Sequence, residues 1–154
     1  MDKINKLWVL VALAAAVGVV FALPRPEPQS YLPTLQIGEA TLSIEVADTE
    51  ALKMQGLSGR DSLPENSGML FKFDVPNRYS FWMKDMRFPL DFIWIANGRV
   101  TEIDHNVPVQ PGVLDERLNV YQPLVPVDSM LEVNSGWAEK QGIKAGDSVK
   151  LLAP

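Results

Sequence analysis

Asp91 is the residue whose surroundings most demand a chemical explanation. It lies in Leu90-Asp-Phe-Ile-Trp-Ile-Ala96. With a strand period of two, Leu90, Phe92 and Trp94 face one way, and Asp91, Ile93 and Ile95 face the other. Both faces are apolar, which predicts a central strand covered on both sides. Burying an unpaired carboxylate costs several kcal/mol, so Asp91 requires a cation or a set of backbone N–H donors. Arg60, Lys84 and Arg87 are the cations at hand, and the loop Asp85–Pro89 is the nearest source of amides.

Three roles follow from that requirement. Arg60, Lys84, Asp85 and Asp91 can line a small polar pocket walled by Trp82 and Trp94, a make-up common to binding sites. Alternatively, Asp91 with Asp85 or Glu132 can act as the acid and base of a hydrolase, which for glycosidic chemistry needs carboxyl groups about 5–10 Å apart across a cleft. The plainest role is structural, with Asp91 pinning the Asp85–Pro89 loop to the sheet. Glu132 otherwise reads as a solvent-facing residue or a partner for Arg60.

Other chemistry finds little support. His105 is the only histidine and reads as a strand-end residue, so no metal site is expected. Gly56-Leu-Ser-Gly59 lacks the spacing of a nucleophile elbow. No P-loop, G-x-G-x-x-G or EF-hand pattern occurs, and no cofactor is expected. With no cysteine, disulfides, thiol catalysis and thiolate metal sites are excluded.

The elements that position these residues are short. A hairpin is expected over Leu35–Val46 about Gly38-Glu39, followed by a helix capped by Asp48 and closed by Gly56. Strands are expected at Met69–Phe73, Tyr79–Met83 and Leu90–Ala96. Asn97-Gly98 is the clearest turn signal and leads into a partner strand from Arg99 to His105. Further strands are expected at Val120–Val125, Ser129–Val133 and Ser148–Leu152, with one or two helical turns over Gly136–Gln141. The fold class is therefore mainly β within α+β: a compact, mostly antiparallel sheet curled towards a barrel, with two short helices.

One hydrophobic helix is expected ahead of that domain. Residues 1–6 form a short n-region with two lysines, and Leu7–Leu23 follows without a charge. Such a run reads as a transmembrane signal anchor or a signal peptide, and Lys3 and Lys6 hold its start in the cytoplasm. The rest is then exported: tethered to the membrane if the helix is kept, periplasmic if it is cleaved. Residues 24–34 hold four prolines and form an extended spacer. Residues 35–154 are the exported globular domain. Beyond residue 23 the chain carries 12 basic and 18 acidic residues, a poor composition for binding nucleic acid. The expected partners are the membrane, through the N-terminal helix, and a small ligand or an envelope protein.

Arg60-x-x-Leu63, Gly68-Met-Leu-Phe71, Phe81-Trp-Met-Lys-Asp-Met86, Pro89-Leu-Asp91, Asn97-Gly98, Leu131-Glu132, Gly136 and Gly142-Ile-x-x-Gly-Asp147 resemble the domain-of-unknown-function family 192. The similarity runs from about Leu35 to Leu152. It implies a compact, sheet-rich fold with short helices in a small exported or membrane-anchored protein, and it implies no reaction. On the residues themselves, a tethered binding or interaction module leads. A cell-envelope hydrolase using paired carboxylates and a structural partner domain are the alternatives.

Overall fold

Asn97 and Gly98 both adopt positive φ, 52° and 67°, which is the requirement of a tight hairpin turn between right-twisted strands. They join β4 (Leu90–Ala96) to β5 (Arg99–Val107). The computed structural model describes residues 32–152; the expected membrane segment 7–23 and most of the spacer 24–34 lie outside them. Among the described residues no helix is long and apolar enough to cross a membrane.

The other elements are β1 (Thr34–Ile37), β2 (Ala40–Ala47), α1 (Glu50–Gln55), β3 (Ser67–Asn77), β6 (Val127–Asn134), α2 (Trp137–Lys140) and β7 (Val149–Leu152). A single 3-10 turn covers Asp115–Arg117. The seven strands form one sheet in the order β5-β4-β6-β3-β2-β1-β7. Every pairing is antiparallel except β2–β3, whose parallel register is made by the crossover through α1. The sheet curls until its edges meet at one end, where the Val149 N–H donates to Gly98 O at 2.8 Å and the Gly146 N–H to Val100 O at 2.8 Å. The mainly β, curled sheet with two short helices is thus the fold observed.

Both faces of the sheet are apolar, as the composition of β4 requires. Inside the curl, Leu35, Ile44, Ile93, Ile95, Leu131 and Val133 pack with Trp137 and Ala138 of α2. On the outer face, Met69, Phe71, Phe92, Trp94 and Met130 are covered by the segments around Leu57, Met83 and Tyr121. Burying each side chain of this size contributes about 1.5–3 kcal/mol, which holds the covering segments on the sheet.

Three local expectations need correction. Thr49, not Asp48, caps α1, with its Oγ1 accepting from the Leu52 N–H at 3.3 Å. Tyr79–Met83 and Val120–Val125 are not strands; they meet only at the bridge Phe81–Tyr121. Pro123 removes an N–H donor from the second segment and Pro126 follows at its end, so a ladder cannot extend through it.

Gly68 in β3 lies close against the backbone of β6. A Cβ there would lie 2.7 Å from the carbonyl oxygen of Glu132 in β6. Gly68→Ala is therefore expected to destabilise the domain by about 1–3 kcal/mol, the usual cost of overpacking. A lowered urea midpoint with an unchanged slope is the expected reading, and an unmoved midpoint would contradict it.

Candidate functional site

Asp91 is fully buried, 0% exposed, as the sequence demands. Its counterpart is not a cation. Asp91 Oδ1 accepts from the Asn106 N–H at 2.9 Å and the Gly136 N–H at 3.1 Å, and Oδ2 accepts from the Ala138 N–H at 3.0 Å. Three amides from the end of β5 and the start of α2 satisfy the carboxylate, and its charge suits the positive end of that short helix. The expected amides of the Asp85–Pro89 loop take no part. Asp91 is a structural fastener on the inner face of the sheet.

The other expected pocket residues do not gather around it. Lys84 pairs with Asp115, and its carbonyl accepts the Ser58 hydroxyl at 2.8 Å. Asp85 takes a left-handed turn at φ 54°, and its carbonyl accepts the Gly59 N–H at 2.9 Å. Trp94 is buried, with its Nε1–H donating to Asp104 at 2.8 Å. It supports the ring of Phe81, 5.5 Å away, instead of walling a pocket. Arg60 forks onto Glu45 at 2.5 and 2.8 Å and holds that carboxyl below the usual carboxylate range. Of the six expected residues, only Trp82 lines the cleft described next.

That cleft lies on the outer face, with a volume of about 500 Å³, between α1 with its following turn, β3 and the Tyr79–Met86 segment. Phe71, Phe73, Tyr79, Phe81 and Trp82 supply its aromatic wall, and Glu132 lies among its lining. Trp82 is 52% exposed and Met54 and Val75 are exposed beside it, so apolar surface is left open to solvent. The Lys84 and Asp85 carbonyls hold the Ser58–Gly59 turn from the side, so the central Phe81–Met86 motif builds this cleft by backbone as much as by side chain.

The burial of Glu132 is what reading the sequence missed. The residue is 5% exposed, and its Oε2 is buried with no hydrogen-bond partner. Burial pushes its carboxyl up from the usual 4.5 to about 8; the field of Arg60 pulls the other way without offsetting it. Glu132 is therefore neither solvent-facing nor bonded to Arg60, whose guanidinium is committed to Glu45. Register also decides against pairing it with Asp91. Glu132 lies opposite Phe92 and Asp91 opposite Val133, so the two acids point to opposite faces of the sheet. An acid–base pair spanning one cleft cannot be built from them.

The family model for DUF192, described as "Uncharacterized ACR", matches residues 33–151. The chain belongs to DUF192. That span takes in both the cleft and the Asp91 fastener, so each is part of the DUF192 domain. No curated protein matches the chain. Among solved structures, a protein of unknown function from Novosphingobium aromaticivorans DSM 12444 aligns with a TM-score of 0.69 at 29% identity, covering 84% of this chain and 94% of that one. A Sinorhizobium meliloti 1021 protein described as a candidate transcription regulator also aligns at 0.69, with 26% identity over 77% of this chain and 92% of that one. The DUF192 fold is thus shared across nearly the full length of both relatives.

Proposed function

We propose that this DUF192 chain is a membrane-tethered, extracytoplasmic binding module whose site is the aromatic cleft floored by Glu132. The observation that carries the reading is a buried carboxyl oxygen with no partner in a cleft of about 500 Å³. Protein interiors satisfy such groups, so an unsatisfied one beside an open cavity is a binding determinant awaiting its complement. The volume suits a small molecule with an apolar body. The uncharged run Leu7–Leu23 behind two lysines, with the proline-rich spacer, supports the tether and the exported side. A role in transcription regulation, the description carried by the Sinorhizobium relative, finds no basic stretch here that would bind nucleic acid.

A thermal-shift screen of small molecules on the full-length chain tests the site. Compounds that bind should raise the melting temperature of the wild-type chain and of Lys84→Ala, whose side chain is off the cleft, and lose that effect in Trp82→Ala. At a concentration of 100 Kd the stabilisation is about 2.7 kcal/mol. Equal shifts in Trp82→Ala would place binding elsewhere and remove the proposal. The tether is tested by fractionation, with the chain expected in a salt-resistant membrane pellet; recovery in the soluble fraction would sink it.

A further inference from the structure

The charges around the cleft narrow its ligand further. Glu50, Lys53 and Asp74 lie among its lining with Glu132. Lys53 is the cation in this set, and its Nζ already contacts Glu50 at 3.2 Å. The nearby Arg60 is withdrawn onto Glu45. An anion entering the cleft would therefore meet Asp74 and Glu132 with no uncommitted cation to receive it. A neutral ligand would leave Glu132 protonated and draw no attraction from its charge. A cation meets the acid and the faces of the rings together, and aromatic faces attract cations within about 6 Å of their centroids. Lys53 already shows the arrangement: its ammonium sits 5.3 Å from the centroid of Phe73.

From this geometry we infer that the cleft takes an organic ammonium on an apolar body, its charge meeting the Glu132 carboxylate and its body lying against Phe81 and Trp82. The inference rests on the binding reading above. It carries a proton balance. An alkylammonium, like a lysine side chain, stays charged well above pH 8. Glu132, protonated in the free cleft below about pH 8, gives its proton to solvent as the ammonium enters. The fixed groups facing the site are Arg60 with Glu45 from the β2 side, Glu50 and Lys53 from α1, and Asp74 and Tyr79 from the aromatic wall. Because only the ionised form is competent, apparent affinity should rise about tenfold per pH unit from pH 6 towards pH 8.

Calorimetric titration of the full-length chain with phenethylamine, 2-phenylethanol and phenylacetate provides the test. The three probes share a phenyl body and differ in the charge they carry. Phenethylamine should bind best, tighten by about fiftyfold between pH 6 and pH 8, and release close to one proton per molecule bound at pH 6 and about half a proton at pH 8. E132Q should lose at least tenfold of that affinity and the pH dependence with it, while keeping whatever affinity 2-phenylethanol has. Should 2-phenylethanol equal phenethylamine at every pH, and lose its binding in Trp82→Ala, the cleft stands and the ammonium inference falls. Preferential binding of phenylacetate would overturn the inference in the same way. Absence of binding by all three probes at both pH values would overturn the inference together with this use of the cleft.

Discussion

Asp91→Ala is expected to cost the domain about 3 kcal/mol or more, the loss from stranding buried N–H groups at about 1–3 kcal/mol each. Three donors lose their acceptor at once: the N–H groups of Asn106, Gly136 and Ala138. Each belongs to a different part of the chain's closure. Asn106 holds a left-handed conformation at φ 55° near the end of β5, and Gly136 one at φ 80° before α2. The carboxylate fixes both turns and the first turn of the helix that plugs the curl with Trp137 and Ala138. Against a total stability of about 5–15 kcal/mol, that loss is a large fraction. Urea unfolding should show the midpoint falling sharply, and Asp91→Asn, which keeps one acceptor oxygen, should fall between. A midpoint within error of the wild type would show that water or a rearranged loop replaces the carboxylate.

The second large effect has the opposite sign. Glu132→Gln is expected to stabilise the domain at neutral pH. In the folded chain the Glu132 carboxyl keeps its proton up to about pH 8, whereas its usual value is 4.5. Between those limits the unfolded chain releases a proton that the folded chain retains. The wild type therefore has this contribution in full below pH 4.5 and loses it as pH rises towards 8. The slope is roughly 1.4 kcal/mol per pH unit, so the loss is about 3 kcal/mol by pH 7. Glutamine does not titrate and escapes it. Urea unfolding of both proteins at pH 5 and pH 8 should show E132Q pulling ahead by about 3–4 kcal/mol over that interval. Parallel stabilities across the interval would mean that Glu132 is ionised and paired in the native state. An acid buried at such a cost to stability supports the proposed binding role, because function and stability often oppose each other at a site.

What the sequence revealed and what it hid divide along a physical line. β4 was legible because both parities of Leu90–Ala96 are apolar, and Asn97-Gly98 because only a few residue types accept two consecutive positive φ values. The burial of Asp91 followed from the same strand. Its donors did not, because they lie 15 to 47 positions away and are brought together only by sheet register and by the turn into α2. Tyr79–Met83 looked like a strand because its aromatic residues favour one, yet they serve as a cover over the sheet's outer face.

Glu132 was hidden by that same cover. In Ser129-Met-Leu-Glu-Val133 an alternating pattern reads as an inward Leu131 and Val133 with an outward Glu132. The outward face is itself buried, because an irregular segment rich in Phe, Tyr and Trp folds over it. One signal was present: Met130 shares the face of Glu132 and is fully buried, so that face was never wholly polar. Aromatic density in a segment too irregular to form its own core implies that some second apolar surface must exist beneath it.

Direct observation of the Glu132 carboxyl by carbon-13 NMR, titrated from pH 4 to pH 10 in the wild-type chain, bears most immediately on this picture. A midpoint near 8 that drops when phenethylamine is added is the expected result. A midpoint near 4.5, unmoved by the amine, would show a carboxylate already at ease in its surroundings, and the cleft would have no chemical reason to bind.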